Sequence, residues 1–358
     1  MDAYPAEDLP FKILRKEWQP VAIASDLKHG DIKSFVLLNT DVVIARLSTG
    51  LLAAENICPH KGMKLSLGAV CDDRLQCAYH GWQFDQSGNC LNIPSLVNPP
   101  PNILKISRLK KFPVQERYGM IWVQLEESAS NKLPDIPEFE DPAWTYVIAP
   151  PTVFACGFRR EIENFLDMTH FAFAHSSTLG KAADPVVPRM DISVLADGFQ
   201  MDAPFPALAT PSEKPSKLQE AHMRQQRCYL PNFTTIRQTF TDGDMRLLVH
   251  VPTPNTHEKC TVFWSIAISP GFKGPAPEDQ LAFAIKVLDE DRLMCESQEP
   301  KEIPLAPSRG GWGVLVSPGD LLANTFQKCF RQYLLDRAAL PGQVLPQDSP
   351  DGIPPGKK

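Results

Sequence analysis

Two short motifs in the first third of the chain pair a cysteine with a histidine. One residue separates Cys58 from His60, and two residues separate Cys77 from His80. A thiolate and an imidazole in each couple match a binuclear iron–sulfur cluster in which two cysteines bind one iron and two histidines bind the other. Neutral imidazoles leave less negative charge on such a cluster, so it accepts an electron at a higher potential than an all-cysteine cluster. The motifs therefore predict one-electron transfer.

A structural zinc ion is the alternative for the same four side chains, because zinc also accepts two sulfur and two nitrogen ligands. Zinc motifs, however, more often group cysteine with cysteine and histidine with histidine. Gly62 and Gly81 follow the two couples, and glycine lets backbone N–H groups approach the cluster sulfurs. The pattern favours a Rieske [2Fe-2S] centre over zinc.

A second group of polar residues lies in a segment rich in Phe, Leu, Met and Ala. Asn164, Asp167 and His170 recur every three residues, on roughly one face of a helix predicted over residues 159–175. His175 follows His170 by five residues, roughly 140° around an ideal helix, so both reach one metal only if the helix is distorted or ends between them. Hydrogen-bonded histidines in an apolar helix are the alternative. Because burying this polar row is costly unless something satisfies it, we interpret both histidines as metal ligands.

Two histidines need a carboxylate to complete the facial triad of a mononuclear non-haem Fe(II) oxygenase, which keeps positions open for O₂ and substrate. The candidates lie in a helix predicted over residues 279–297 from its apolar periodicity. At about 100° per residue, Asp291 lies nearest the apolar stripe and Glu296 next, so helical phase only slightly favours Asp291. Asp289 and Glu290 lie farther away and fit a solvated acidic patch.

Together these motifs resemble the Rieske non-haem iron oxygenases, specifically their catalytic (alpha) oxygenase component. The resemblance extends over nearly the whole chain, from Trp18 to the last predicted helix. It is carried by Cys58-x-His60, Cys77-x-x-His80-Gly-Trp, Asn164-x-x-Asp167-x-x-His170-x₄-His175 and Glu290-Asp291-x₄-Glu296-Ser-Gln298.

The resemblance implies one Rieske [2Fe-2S] cluster and one mononuclear Fe(II) per chain, with O₂ as cosubstrate. It assigns Asp291 as the third iron ligand. It also gives Asp167 a bridging role between His170 and the cluster ligand His80 of the partner subunit, in a homotrimer. We interpret Asp167 and Asn164 as catalytic residues.

Electrons must reach the iron from outside the chain, because the sequence has no G-x-G-x-x-G fingerprint for a dinucleotide or flavin. We therefore expect NAD(P)H to act only indirectly, through a separate reductase or ferredoxin that docks near His60 and His80. The chain is also similar to oxygenases that act without a small β subunit, several of which remove methyl groups from N or O on aromatic and purine rings.

The predicted function is that of a terminal oxygenase in a multicomponent monooxygenase that demethylates or hydroxylates a small apolar, aromatic or heterocyclic substrate. Ring cis-dihydroxylation is an alternative within the same chemistry. A Rieske electron carrier or ligand-binding module without oxygenase iron is an alternative of another class, and the predicted triad argues against it.

Composition argues against several other classes. The net charge is −6 and the pI is near 5.8, and no Lys/Arg cluster is interleaved with aromatics, so nucleic acid is not an expected partner. The sequence shows neither a secretory signal nor an apolar run of bilayer length, so we expect no membrane association. Two of the nine cysteines are assigned to iron, and the other seven are expected to be reduced, mostly buried thiols of a cytoplasmic protein.

The first part of the chain is predicted to be all-β. After an N-terminal segment (1–17), an all-β Rieske domain is expected over residues 18–127, with the cluster on two loops. Its antiparallel strands are predicted at residues 34–38, 42–47, 51–55 and 120–125.

The second part, residues 128–340, combines predicted strands with long helices, which gives an α+β fold. The resemblance implies a helix-grip (START-like) catalytic domain with an antiparallel sheet and a cavity between sheet and helices. The tail, residues 341–358, is expected to be disordered. The strands are predicted at residues 234–241, 245–251 and 261–269, and a terminal helix near 317–337.

The substrate pocket is the least predictable part. Proline-rich segments at 182–188 and 204–217 are candidates to cover it, although ordinary surface loops fit equally well. Seven apolar side chains are candidates for its lining, or more commonly for core: Phe154, Phe158, Phe171, Met201, Phe205, Phe233 and Phe240.

Overall fold

The structure is a computed structural model that describes residues 9–128, 132–178, 186, 190–204, 221–305 and 317–338. Within these ranges the helices are α1 (Leu9–Leu14), α2 (Pro101–Ile106), α3 (Phe158–Leu166), α4 (Phe171–Ala174), α5 (Pro277–Ser297) and α6 (Leu321–Ala338). The strands are β1 (Gln19–Ile23), β2 (Ile32–Leu37), β3 (Thr40–Leu47), β4 (Gly50–Glu55), β5 (Ala69–Cys71), β6 (Arg74–Gln76), β7 (Gln83–Phe84), β8 (Cys90–Asn92), β9 (Lys111–Phe112), β10 (Val114–Arg117), β11 (Met120–Val123), β12 (Thr145–Ile148), β13 (Thr152–Phe154), β14 (Asp191–Leu195), β15 (Gly198–Pro204), β16 (Ala221–Tyr229), β17 (Phe233–Phe240), β18 (Met245–Thr256) and β19 (Lys259–Ile268).

The first part of the chain forms three small antiparallel sheets, with strand orders β1-β11-β10, β2-β3-β4-β9 and β5-β6-β7-β8. The four strands predicted here correspond to β2, β3, β4 and β11. Cys58 lies on the loop after β4, and Cys77 lies between β6 and β7. Both cysteines are buried in a separate small core with Leu65, Leu75 and Phe84, so packing within this part fixes the two loops.

The second part is built on one eight-stranded antiparallel sheet. Its order is β12-β19-β18-β17-β16-β15-β14, with β13 also pairing β19. The predicted strands correspond to β17, β18 and β19, but β12 to β16 were not predicted. Polar residues interrupt the hydrophobic alternation of β16, where Arg224 and Gln226 are nevertheless buried. A polar face is unusual in a buried strand; here Arg224 lines a cavity, and Gln226 donates a hydrogen bond to the Phe165 carbonyl. The α+β fold class is confirmed.

Helices α3, α5 and α6 pack against this sheet, and α3 also packs against α5 and α6. In α3, Phe158, Ile162 and Leu166 recur every fourth residue and are all buried, which gives the helix a single apolar face. The helix predicted over 159–175 is wrong in extent, because α3 ends at Leu166 and only the short α4 follows.

The main hydrophobic core includes residues from both parts of the chain, such as Leu14 of α1 and Phe330 of α6. The N-terminal segment therefore contributes a helix to this core. Tyr333 donates a hydrogen bond from its hydroxyl to Glu17, and Asn232 donates to Gln19 over 2.7 Å. These contacts fasten residues 17–19 to the second part of the chain.

In the part of the chain that the structure describes, no helix is long and apolar enough to cross a membrane. All nine cysteines are free. The proposed covering segments, 182–188 and 204–217, lie outside the described residues except for Val186 and Pro204, as does the predicted tail, 341–358.

Candidate functional site

The end of α3 places the two histidines of the second motif. The backbone of Asp167 is extended (φ −75°, ψ 134°), so the helix stops before His170. His170 precedes the four-residue α4, and His175 follows it. This break removes the 140° separation that a continuous helix imposes, and both imidazoles turn toward the same point.

Three side chains converge there. His170 Nε2 lies 3.0 Å from His175 Nε2, and Asp291 Oδ1 lies 3.4 Å and 3.1 Å from these two nitrogens, respectively. One ligand atom from each residue lies within 4.8 Å of the other two. The other acidic candidates lie apart: Glu296 accepts a hydrogen bond from the Ala155 amide, and exposed Asp289 pairs with Arg292.

A carboxylate contacts the far nitrogen of each imidazole. Asp167 Oδ2 lies 3.1 Å from His170 Nδ1, and its other oxygen accepts from both the amide and the hydroxyl of Thr169. Glu290 Oε2 lies 2.8 Å from His175 Nδ1. When Nδ1–H donates to a carboxylate, the lone pair of Nε2 is left free for a metal.

Glu290 was predicted to belong to a solvated acidic patch, and that prediction is wrong. Besides His175, it accepts hydrogen bonds from the hydroxyls of Ser177 and Thr178. The position of Glu290 around α5 relative to the apolar stripe did not reveal its role, because its hydrogen-bond partners lie on the segment after α4. The signal available in the sequence was the adjacent pair Glu290-Asp291. The side chains of consecutive residues on a helix point in different directions and can contact different groups.

The electrostatics of the site depend on these carboxylates. Burial lowers the pKa of His170, but hydrogen bonds with Asp167 and Asp291 outweigh burial and raise the pKa to about 9. Burial also lowers the pKa of His175, and hydrogen bonds with Asp291 and Glu290 raise it overall. Burial raises the pKa values of Asp167 and Asp291, yet hydrogen bonds with the histidines hold both below their ordinary value.

This donor set fits a divalent metal ion. Three carboxylates surround two imidazoles, so the neutral form of both histidines leaves net negative charge that a dication compensates. Asp291 Oδ1 is buried, and the Nε2 atoms of both imidazoles face it at 3.4 Å and 3.1 Å. Two histidines and one carboxylate form the ligand set of mononuclear non-haem Fe(II).

The cysteine–histidine loops of the first part have the same hydrogen-bonding pattern. In one, the Cys58 amide donates to the Met63 carbonyl over 2.8 Å, and the Gly62 amide donates to the Cys58 carbonyl over 2.9 Å. In the other, the Cys77 amide donates to the Trp82 carbonyl over 2.9 Å, and the Gly81 amide donates to the Cys77 carbonyl over 3.0 Å.

Glycine is required at the matching position of each loop. Gly62 and Gly81 have φ values of +71° and +69°, where side chains other than glycine are strained. The two loops bring the two cysteine–histidine couples together, although the couples belong to separate segments of the chain. The centroids of the His60 and His80 rings are 4.5 Å apart, and His60 stacks on Trp82 at 4.5 Å.

These four residues fit a Rieske cluster. His60 Nδ1 is buried and has no hydrogen-bond partner within the described ranges, which leaves it available as a ligand. Burial and the neighbouring thiol of Cys77 raise the pKa of Cys58 to about 11, while amides of His60 and Lys61 oppose the rise by hydrogen bonding to its sulfur. A cluster-bound thiolate would accept hydrogen bonds from the same two amides. His80 is exposed, so this end of the site is open to a partner.

The triad lies in the wall of a cavity of about 970 Å³, including its open mouth, between the sheet and helices α3, α4 and α5. The sheet face that lines it consists of aligned cross-strand rows. Register places Ile236, Leu248 and Ile266 in one apolar row across β17, β18 and β19. The adjacent row lies two residues away along each strand and consists of Thr234, His250 and Trp264.

A third row contains charge, and we call it the arginine row: Arg224, Gln238 and Arg246. Register pairs Arg224 with Gln238 and Gln238 with Arg246, so all three project from one face of neighbouring strands. All three line the cavity. Sequence analysis missed them, because which polar residues of different strands share a face depends on register.

The predicted pocket-lining residues are mostly core. Phe171 lines the cavity, whereas Phe154, Phe158, Met201, Phe233 and Phe240 are buried elsewhere and Phe205 lies outside the described residues. Asn164 lines the cavity from α3, and Phe283, Ala284 and Val287 line it from α5.

Comparison with protein families matches both parts of the chain. The model of the Rieske [2Fe-2S] domain matches residues 17–113, and the model of the vanillate O-demethylase oxygenase C-terminal domain matches residues 154–334. The match over the first part supports the Rieske cluster and argues against the zinc alternative.

Individual relatives agree. Methylxanthine N1-demethylase NdmA of Pseudomonas putida is 32% identical over 81% of this chain and 83% of its own length. The oxygenase component of dicamba O-demethylase from Stenotrophomonas maltophilia is 25% identical over 80% of this chain and 88% of its own. The solved structure of Pseudomonas putida CBB5 NdmA with caffeine superposes with a TM-score of 0.81 at 26% identity, covering 96% of this chain and 99% of that one.

The cysteine–histidine loops, the convergent triad and these matches over both parts lead to one assignment. The chain is an oxidoreductase that belongs to the Rieske oxygenases of the vanillate O-demethylase type, and it is the terminal oxygenase of a Rieske system.

Proposed function

We propose that this oxygenase is a demethylase, which removes a methyl group from N or O of a small aromatic or heterocyclic substrate. The observation that carries the proposal is the convergence of His170, His175 and Asp291 within 4.8 Å, in the wall of a largely apolar cavity. The demethylase activities named for relatives that align over most of this chain support it.

His170, His175 and Asp291 would hold one mononuclear Fe(II), and Cys58, His60, Cys77 and His80 would hold the Rieske cluster. When bound, the iron supplies O₂ activation at coordination positions that the three protein ligands leave open. Overall, O₂ with two electrons and two protons would oxidise the methyl carbon to formaldehyde, release the N–H or O–H product and form water.

The protein's own contribution is orientation and exclusion of water. Asp167 and Glu290 fix the imidazole rings through their Nδ1 atoms. Ile236, Leu248 and Ile266 supply an apolar floor on which a flat ring can lie. Because apolar walls favour a desolvated ring, they place the methyl-bearing group beside the triad without competing water. Asn164 lines the same cavity, and we assign it to substrate orientation.

Electrons would come from a separate reductase or ferredoxin that docks at the exposed His80 side of the cluster. We propose that the chain works as a homotrimer, in which a head-to-tail ring places each cluster beside the iron of its neighbour. Asp167 would then connect His170 with His80 of the partner subunit. This role is consistent with the partly exposed position of Asp167, which leaves its carboxylate accessible to a second chain.

The decisive experiment supplies purified, iron-loaded protein with a surrogate reductase, NADH and a panel of N- and O-methylated aromatics. We expect formaldehyde in a one-to-one ratio with the demethylated product. Hydroxylated or cis-dihydroxylated products without formaldehyde across the panel would instead favour the alternative oxygenase reactions. Metal analysis separates the electron-carrier alternative, since it requires cluster iron without the additional mononuclear iron.

A further inference from the structure

Three of the free cysteines meet at one place in the main hydrophobic core. Cys156 lies between β13 and α3, Cys260 lies on β19, and Cys295 lies in the last turn of α5. All three are fully buried in the same core. They belong neither to the cysteine–histidine couples nor to the metal triad, so the proposed reaction leaves them without a role.

Contacts that do not involve the thiols hold these three segments together. Register pairs the last residue of β13 with Cys260, and Cys156 lies two residues farther along the chain. On the other side, the Ala155 amide donates a hydrogen bond to Glu296 Oε1 over 2.9 Å, which joins the immediate neighbours of Cys156 and Cys295. Cys156 therefore lies between the other two cysteines, and the thiols of both hydrogen bond to it.

Cys156 has the character of a nucleophile. Hydrogen bonds from the thiols of Cys260 and Cys295 lower its pKa and outweigh burial, which raises it. Burial and the contact with Cys156 raise the pKa of Cys260, and the hydrogen bond with Cys156 and burial raise the pKa of Cys295. The thiolate is the reactive form of cysteine toward oxidants, and a thiol beside an oxidised cysteine converts it to a disulfide.

Cys295 is better placed than Cys260 to form a bond with Cys156. A disulfide has an S–S distance of about 2.0 Å, shorter than a hydrogen-bonded contact, so one of the segments must move. Cys260 is held in β19 between β13 and β18. Cys295 lies near the end of α5, and a helix end shifts at a lower cost in free energy than a strand paired on both sides.

α5 connects this cysteine to the metal triad. Asp291 precedes Cys295 by four residues, one helical turn or about 6 Å, so the two side chains lie on one face of the helix. Hydrogen peroxide forms when O₂ takes up two electrons and two protons without oxidation of a substrate. In a metal-loaded oxygenase this oxidant would arise about one helical turn from the thiols.

We propose that Cys156 and Cys295 form a peroxide-sensitive thiol pair, whose oxidation to a disulfide shifts the end of α5 and weakens metal binding at the triad. The disulfide itself requires only the thiols and peroxide, whereas its effect on the metal rests on the proposed iron site.

The oxidation proceeds in two balanced steps. The Cys156 thiolate attacks one oxygen of hydrogen peroxide, the O–O bond breaks, and a sulfenic acid and hydroxide form. The hydroxide takes up the proton that the Cys156 thiol had released and becomes water. The Cys295 thiol then attacks the Cys156 sulfur, the S–O bond breaks, and the second water leaves with the thiol proton. Two sulfurs thus lose two electrons in total, and one peroxide gains them.

The first test maps the disulfide. Protein that carries both the cluster and the mononuclear iron is treated with an equimolar amount of hydrogen peroxide, unfolded, alkylated at its remaining thiols and digested. We expect mass spectrometry to find one main cross-linked peptide pair, which joins Cys156 to Cys295 and disappears after treatment with dithiothreitol. A main disulfide between other cysteines, or no disulfide at all, would overturn the proposal.

The second test measures Fe(II) binding. The oxidised chain should bind Fe(II) at least about tenfold more weakly than the reduced chain, because a displaced α5 misplaces Asp291 and Glu290. Dithiothreitol should restore the original affinity. Equal affinities of the two forms would refute the connection between the thiol pair and the triad.

Two variants separate the proposed pair from the rest of the cluster. Cys295→Ala should abolish both the disulfide and the loss of affinity after peroxide treatment. Cys260→Ala is the matched control from the same buried cluster and should retain both, although more slowly, because Cys260 helps to lower the pKa of Cys156. Loss of the disulfide in Cys260→Ala but not in Cys295→Ala would refute the assigned pair. The mapping in the wild-type chain decides the question even where a variant does not fold.

The outcome is separable from that of the demethylase proposal. If peroxide joins Cys156 to Cys295 and weakens Fe(II) binding but no methylated aromatic yields formaldehyde, the thiol pair stands and the demethylase function fails. If formaldehyde is released while peroxide leaves both cysteines reduced, the function stands and the thiol pair fails.

Discussion

Glu290 Oε2 lies 2.8 Å from His175 Nδ1, and this contact joins residues that are 115 positions apart. It matches the contact of Asp167 with His170, so each imidazole of the triad has its own carboxylate. The two carboxylates come from different parts of the chain. Asp167 is local to its histidine, whereas Glu290 is supplied by α5, the helix that also carries Asp291.

Glu290→Ala should weaken Fe(II) binding by about ten- to a hundredfold, because His175 loses the acceptor that fixes its ring and tautomer. Glu290→Gln should restore part of the affinity, since an amide oxygen still accepts from Nδ1–H. Iron per chain measured after graded chelation checks this, and the electron paramagnetic resonance signal of the reduced cluster should not change. Asp289→Asn, on the exposed side of α5, should behave like the wild-type chain.

Asp167→Ala should leave the cluster loaded, and saturating Fe(II) should still fill the mononuclear site. Coupled turnover should nevertheless fall at least a hundredfold, because the proposed link from the cluster to His170 is removed. The measurement is product formed per reductant consumed, together with the rate at which the prereduced cluster is reoxidised in the presence of substrate and O₂. Full activity in this variant would exclude Asp167 from the mechanism.

Fe(II) binding should become tighter as the pH rises. The pKa of His170 is raised to about 9, so below that pH the imidazole of the metal-free site holds a proton that iron must displace. Each displaced proton gives about a tenfold gain in affinity per pH unit, levelling off above about pH 9. Competition titrations at about pH 6.5 and about pH 8.5 measure this. An affinity independent of pH would contradict it, and Asp167→Ala, which removes a cause of the raised pKa, should reduce the slope.

Glu161→Ala should destabilise the fold by about 3 kcal/mol or more, because it leaves a buried polar partner without its counterpart. Glu161 Oε1 lies 2.7 Å from His250 Nε2, and the His250 ring stacks on Phe165 with centroids 3.8 Å apart. These contacts fasten α3 to β18 beside the His170, His175 and Asp291 triad. Urea unfolding gives the change in free energy, and Glu258→Ala, in the exposed turn between β18 and β19, should change it by less than about 0.5 kcal/mol.

Several elements of the fold were predictable because their signal is local. Strands β3, β17 and β19 follow from short β-branched runs, and α5 follows from its apolar period. The extent of the helix at His170 was not predictable in the same way, because α3 ends at a residue with no strong helix-breaking side chain. The backbone turns at Asp167, whose side chain accepts a hydrogen bond from the Thr169 amide. Strand β16 was missed because buried polar residues, Arg224 and Gln226, interrupt its hydrophobic alternation.

Spacing within the chain alone predicted the cysteine–histidine couples as cluster ligands and the two histidines as metal ligands, since ligands only a few residues apart are constrained by local geometry. Helical phase left Asp291 and Glu296 nearly equivalent, and the folded chain separates them by placing one at the histidines and the other at the Ala155 amide. Glu290 and the arginine row emerge only in the tertiary structure. Their roles depend on sheet register and on the docking of α5, which bring together groups that no local pattern connects.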